Sequence, residues 1–326
     1  MGVGQYLLKI LRNLVPGIMS LVAMAVSAQD FPNRPIHIIV PYGPGTGSDI
    51  ITRILAPQIG NRLKQPMIVD NRDGAGATIG VNLLKRAKPD GYTIGIIASA
   101  NTAQPWLMKD IPFDIRKDFM PIAMIYSAPL VMVVSQSFPA KTLAEFIVYA
   151  KANPGKLFYG SAGVGTTTHL AAEMLRQVAG IAISNVSYRG TGEMHSSVAA
   201  GNVHLAFGNL EAPKPLVDAG RLRVLAVTSL QRMAVLPQVP TIAESFPSFE
   251  LALWAGFAAP LGTPQAVFDK LTTEIRAVLQ TPEFGKRLSD IGSESSSLSP
   301  AEFAQRITAD YDKFGKVIQA AGIKPE

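Results

Sequence analysis

The chain has 326 residues, 48% of them hydrophobic and 17% charged, which is the balance of a folded protein with a sizeable core, long enough for about two domains. It contains no cysteine, so disulfides, thiol catalysis and cysteine-ligated zinc are excluded. Its formal net charge of +6 is too mild, and too evenly spread, to argue for nucleic acid as a partner.

The first element is a targeting segment. Lys9 and Arg12 form a positive start, Leu14 to Val26 an apolar run, and Ala28 ends a small-residue stretch that suits cleavage. The run is too short for a membrane span of about 20 residues. Pro16 and Gly17 interrupt it, which disfavours the alternative of an uncleaved anchor. Residues 1–28 therefore read as a signal peptide. Removing Lys9 and Arg12 leaves 28 basic against 24 acidic residues, a net charge of +4.

A strand is expected over Ile36–Val40, then the turn "YGPGTGSD", then a helix with Ile50, Ile51, Ile54, Leu55 and Ile59 at helical spacing and Asp49 at its start. "MIVDNR" and "YTIGIIAS" read as strands on either side of a helix near Ala77–Lys88. "APLVMVVS" is a buried strand, and "TLAEFIVYAKANPG" a helix with Thr142 and Glu145 placed for a capping box. Leu157–Tyr159 forms a strand, followed by the turn "GSAGVGT" and a helix faced by Leu170, Met174, Leu175 and Val178, with Gly180 as its C-cap. "ISNVSYRG", "VHLAFGN" and "RLRVLAVTS" are strands, with helices near Gly192–Ala200 and Ala212–Ala219. "LALWAGFAAPLGTP" leads from a strand into a helix at Thr263–Pro264, and two final helices are "PQAVFDKLTTEIRAVLQ" and "PAEFAQRITADYDKFGKVIQAAG". The alternation predicts an α/β fold with mostly parallel sheets flanked by helices. The two glycine turns lie about 115 residues apart without strong identity, one strand–turn–helix opening per domain rather than a short-period repeat. "PIAMIYSAPLVMVV" and "LPQVPTIAESFPSFELALW" are the expected crossings between domains, so residues 29–128 with 251–326 make one lobe and residues 129–250 the other.

Glycines allow close backbone approach, and each following helix start offers unpaired N–H groups and a positive dipole end. Gly160 and Gly165 have phosphate-loop spacing, but Thr166 stands where lysine would grip a nucleotide. "GPGTGSD" lacks the dinucleotide spacing, and Tyr159 stands where a hydrolase elbow around Ser161 needs glycine. Ser161 and Ser99 have no identifiable base or acid partner. His37, His169, His195 and His204 form no ligand spacing, so no metal and no cofactor is expected. Arg189 could meet a carboxylate bidentately or sit in a surface ion pair. Trp254 either lines a cleft or packs in the hinge.

Taken together, "RPIHIIVPYGPGTGSD", "VDNRDGAGATIG", "AKPDGYTI", "AKANPGKLFYGSAGVGTTTHLAAEM", "VSYRGTG", "AGRLRVLAVTS", "LPQVPTIAES" and "WAGFAAPLGTP" resemble, in order and spacing, the substrate-binding (Bug) receptors of tripartite tricarboxylate transporters. The resemblance runs from about Phe31 through nearly all of the remaining chain. It implies a two-lobed, flytrap-like (type II) periplasmic binding protein and no enzymatic activity. It further implies two pincer turns that seize a ligand carboxylate: Pro44, Gly45, Thr46 and Asp49 in one, Ser161, Ala162, Gly163, Gly165 and Thr166 in the other. Ser99, Asn101, Tyr188 and Asn209 are implied for the distal half of the ligand. The chain departs from the family pattern at Gly43-Pro44-Gly45-Thr46, at Arg189, and at Gly208, where an aspartate commonly follows the phenylalanine; losing that carboxylate disfavours an amino-acid ligand. The implied protein is a monomer in the periplasm of a Gram-negative bacterium. It presents its closed form to the membrane permease subunits of the transporter or, in the alternative, to a membrane signalling protein.

Overall fold

The computed structural model describes residues 31–325. The signal-peptide reading of residues 1–28 lies outside the described residues. In chain order the first part runs β1 (Ile36–Val40), α1 (Gly47–Leu63), β2 (Met67–Asn71), α2 (Thr78–Arg86), β3 (Thr93–Ala98), α3 (Ala100–Leu107) and the long β4 (Phe119–Ser135). Then come α4 (Leu143–Ala152), β5 (Leu157–Ser161), α5 (Thr167–Ala179), β6 (Ile183–Ser187), α6 (Thr191–Ala199), β7 (Leu205–Asn209), α7 (Lys214–Asp218) and β8 (Leu222–Val227). The last part holds β9 (Ala252–Pro260), α8 (Gln265–Leu279), α9 (Pro282–Ser289), β10 (Glu294–Ser295) and α10 (Pro300–Ala320). Among the described residues no helix is long and apolar enough to cross a membrane.

The local signals explain most of these ends. Thr142 accepts a hydrogen bond from the Glu145 amide at 3.2 Å, but Glu145 reaches back to the Lys141 amide at 2.7 Å, so the expected box closes one residue early. Gly180 ends α5 in the left-handed region, at φ 61°. α3 was not expected: Pro105 lies inside it and its apolar residues show no helical stripe.

The strands form one mixed sheet in the order β2-β1-β3-β9-β4-β7-β5-β6, with β8 and β10 also on β4. Pairs linked through helices (β1 with β2 and β3, β5 with β6 and β7) are parallel, because a crossover helix returns the chain to the same end. Every pair that involves β4 or β9 is antiparallel. β4 carries both halves of the sheet: Phe119–Pro129 pair with β9, and Leu130–Ser135 pair with β7 and β8. The partner change falls at Pro129, which has no N–H to donate.

Ile36, Leu55, Ile94, Phe257 and Leu271 centre the buried cluster of the first half, and Phe146, Tyr159, Leu170 and Phe207 that of the second. α10 packs on both. Its Phe303 and Ile307 join Ile39, Ile97 and Trp254, whereas Phe314, Val317 and Ile318 join Leu170 and Phe207. Asp310, 1% exposed, stands between these patches, accepts from Trp254 Nε1 at 2.7 Å and Arg306 Nε at 2.8 Å, and forms an ion pair with Lys313 Nζ at 3.2 Å. Trp254 is thus a packing residue here.

Candidate functional site

Strand register brings the two glycine turns to one seam. In the first half the carboxyl end of β3, Ala98, lies opposite Ala255 of β9, which lies opposite Tyr126 of β4. In the second half the carboxyl end of β7, Asn209, lies opposite Leu130 of β4. The parallel strands of both halves therefore run toward the middle of β4 from opposite sides. The turns after β1, β3, β5, β6 and β7 all open there, the position where α/β sheets bind ligands.

The two turns share a construction that sequence identity conceals. Gly43, Gly45, Thr46 and Asp49 stand 120 positions before Gly163, Gly165, Thr166 and His169. In each turn the threonine hydroxyl donates to the first glycine carbonyl, at 2.9 Å for Thr46 to Gly43 and 2.7 Å for Thr166 to Gly163. In each the second glycine, at φ 82° or 76°, donates its amide to the residue four positions on: Gly45 to Asp49 Oδ2 at 2.9 Å, Gly165 to His169 Nδ1 at 3.1 Å. Only glycine takes these φ values without strain. The amides of Gly45 and Gly165 are thus engaged inside the turns. The first-turn amides of Gly47 and Ser48 in α1, and of Thr167 and Thr168 in α5, carry no hydrogen bond among the described residues and are available to an anion.

The bracing groups differ in charge. Burial pushes the Asp49 carboxyl up, but the Gly45 amide, Asn71 and Arg53 together outweigh it and hold Asp49 below its ordinary value, ionised. Arg53 Nε and Asn71 Nδ2 both reach Asp49 Oδ1 at 2.9 Å. Burial holds His169 below its ordinary value, so it is neutral, and accepting from Gly165 at Nδ1 leaves its proton on Nε2.

The remaining expected residues fall at the same seam in two groups. Pro44, Gly45 and Thr46 are exposed, Ala162, Gly163, Gly165 and Thr166 half-buried. Asn209 is half-buried, and its side chain has no hydrogen bond among the described residues. Tyr188 is half-buried, its hydroxyl 2.6 Å from Ser197 Oγ. Asp49, Ser99, Asn101 and Ser161 are buried and brace backbone: Asn101 Oδ1 accepts from the Ala98 amide at 2.8 Å, and Ser161 Oγ from the Gly163 amide at 3.3 Å.

Two contributors escaped the sequence reading. Leu107, on the unexpected α3, covers the second turn from the first half; a Cβ on Gly165 would lie 2.2 Å from Leu107 Cδ1. The second is His195, fully buried on α6. A Cβ on Gly208 would lie 2.6 Å from His195 Cε1, so an imidazole fills the space that a side chain at 208 would take. Neither ring nitrogen has a hydrogen-bond partner among the described residues. Burial lowers the His195 pKa from 6.5 to about 4; the Thr191 carbonyl pulls the other way without reaching hydrogen-bond geometry. Between these values the unfolded chain binds more protons, so the stability this neutral histidine contributes is complete above pH 6.5 and is lost as pH falls toward 4. The expected loss is about 3 kcal/mol. His169 adds to it with the same sign. Urea unfolding at pH 7 and pH 4.5 measures it; His195→Leu should show a visibly flatter pH dependence, and an unaltered one would refute the assignment.

A cavity of ≈ 810 Å³ adjoins the second turn, walled by Gly165, Thr166, α3 and the segment after α10. Another concavity, ≈ 670 Å³, draws all its walls from residues 53–69 of the α1–β2 unit and meets neither the second turn nor the second half.

A family model described as "Tripartite tricarboxylate transporter family receptor" matches residues 51–323. Three solved structures are similar over nearly their whole length. Rpa4515 of R. palustris with adipate is 34% identical, covers 91% of this chain and 100% of its own, and superposes with a TM-score of 0.77. The periplasmic binding protein BugD is 30% identical over 91% and 100% of the two chains, with a TM-score of 0.73. MatC (Rpa3494) from Rhodopseudomonas palustris with bound malate is 26% identical over 88% and 100%, with a TM-score of 0.72.

Proposed function

The chain belongs to the tripartite tricarboxylate transporter receptor family, a family of periplasmic solute-binding receptors and not of enzymes, and we propose that this member captures a small carboxylate between its two matched turns. The unengaged amides of Gly47, Ser48, Thr167 and Thr168 hold the carboxylate, with Thr46 and Asn209 at the rim. Asp49, Ser161 and His169 keep these turns in shape, and Ser99 and Asn101 brace the end of β3 beside them. What carries the reading is the shared construction of two helix starts that open onto one seam. Adipate in Rpa4515 and malate in MatC support the ligand class.

The lobes are residues 29–128 with 251–326, and residues 129–250, hinged where β4 changes partners. Ligand favours closure because only the closed form brings both sets of amides to one headgroup. A shift from 1:99 to 99:1 needs about 5.5 kcal/mol of differential affinity. The closed form is then read by membrane permease subunits after export through the segment at residues 1–28. Ligand-stripped protein is expected to gain thermal stability with at least one of adipate, malate and a panel of mono- and dicarboxylates, with matching heat in calorimetry. Silence across the panel would end this reading.

A further inference from the structure

The concavity on the α1–β2 unit lies at an open edge of the sheet. β2 ends the strand order and pairs with β1 alone among the described residues. The Ile36 amide donates to the Pro66 carbonyl at 2.9 Å, and the Arg72 amide to the Val40 carbonyl at 2.8 Å, which fixes the alternation along β2. Pro66, Ile68, Asp70 and Arg72 turn their backbone groups to β1. Met67, Val69 and Asn71 turn theirs outward, where no described strand meets them. Such an edge is a template for another strand. The side chains of Met67 and Val69 lie on the face that α1 covers, and together with α1 they wall the ≈ 670 Å³ concavity beside the free backbone groups. Arg53 and Lys64 bring two cationic side chains to this lining, and no carboxylate lines it. Arg53 is held by Asp49, but Lys64 is exposed and has no ion-pair partner among the described residues. On the opposite face Ile68 is 39% exposed.

We propose that this edge is a docking site for an extended segment of a partner protein, which joins β2 as a further strand and carries carboxylate side chains on its α1-facing side. Main-chain pairing with Met67 and Val69 supplies the attachment. Lys64 and the concavity select acidic side chains, and Ile68 favours apolar ones at the intervening positions. A second copy of this chain is the poorer occupant. Lys64 stands just before β2, and Arg53 bonds Asn71 Oδ1 at its far end, at 2.7 Å. Two-fold, antiparallel pairing of two β2 edges would set Lys64 of one copy against Arg53 of the other. The probe is the labelled peptide acetyl-Thr-Glu-Val-Glu-Val-Glu-Thr-amide, with lysine in place of every glutamate as the control. Fluorescence anisotropy of each peptide, titrated with the full protein, reads the affinity. The glutamate peptide is expected to bind about tenfold or more tightly than the lysine peptide. Val69→Pro removes one outward N–H at an edge position, where proline is tolerated, and should abolish binding. Lys64→Glu should bring the two peptides close to parity. Cooperative urea unfolding shows that each variant is folded, and because Lys64 is exposed, Lys64→Glu alone decides the matter if Val69→Pro does not fold. Equal affinity for the two peptides, no binding of either, or an undiminished preference in Lys64→Glu would overturn the proposal. So would a dimer in sedimentation velocity that Val69→Pro dissolves, since the edge would then belong to a second copy. None of these outcomes bears on carboxylate capture at the seam.

Discussion

Gly165→Asp is expected to weaken carboxylate binding about 100-fold or more, near 3 kcal/mol, while cooperative unfolding remains. Three effects act in the same direction. At φ 76° any other residue strains the backbone, by about 1–2 kcal/mol. A Cβ there would lie 2.2 Å from Leu107 Cδ1, so Leu107 must swing away from the turn it covers. The new carboxylate also sits beside the Thr167 and Thr168 amides and competes for them. The turn is only half-buried, so the core need not yield. Gly165→Ala separates the effects, since it keeps the strain and the clash without the charge. Adding Leu107→Ala to Gly165→Ala removes the clash and should restore part of the affinity. Calorimetry on the three variants reads the order; undiminished affinity in Gly165→Asp would remove the second turn from the site.

Asp310→Ala is expected to cost about 3–5 kcal/mol of folding stability, the usual result of breaking a buried charged pair from one side. Arg306 is half-buried, and although desolvation pushes its pKa down, Asp310 and Glu250 outweigh that and keep it charged. Its Nη2 already lacks a partner among the described residues, so losing Asp310 leaves it worse compensated. Trp254 Nε1 would lose its acceptor at the same stroke. Asp310→Asn keeps an acceptor for Trp254 and should lose less. Urea unfolding of the two variants checks the ranking, and an Asp310→Ala protein within about 1 kcal/mol of wild type would contradict the network.

Much of the architecture was legible because it rests on short-range chemistry. The strand–turn–helix openings, the Gly180 cap and the long strand through "PIAMIYSAPLVMVV" follow from neighbours within a few residues. α3 was hidden because Pro105 and a polar start disguise a helix that only tertiary packing holds, through Trp106 Nε1 to the Tyr311 carbonyl at 3.0 Å. The kinship of the two turns was hidden because aspartate and histidine do the same job, accepting one glycine amide, with different atoms. Gly208 read as a missing carboxylate; in the fold it makes room for His195, which lies 13 positions earlier.

Where the chain turns, where its helices begin and which glycines must reach positive φ are decided within a few residues, since backbone sterics and capping are local; the amino-acid order alone carried that much, and with it the two anion-ready turns. Which residue covers Gly165, and how the segment after α10 comes to wall a cavity with the second turn, depend on segments about 60 to 160 positions apart. Only packing brings those together. Strand register on β4 and the span of α10 across both halves decide that geometry.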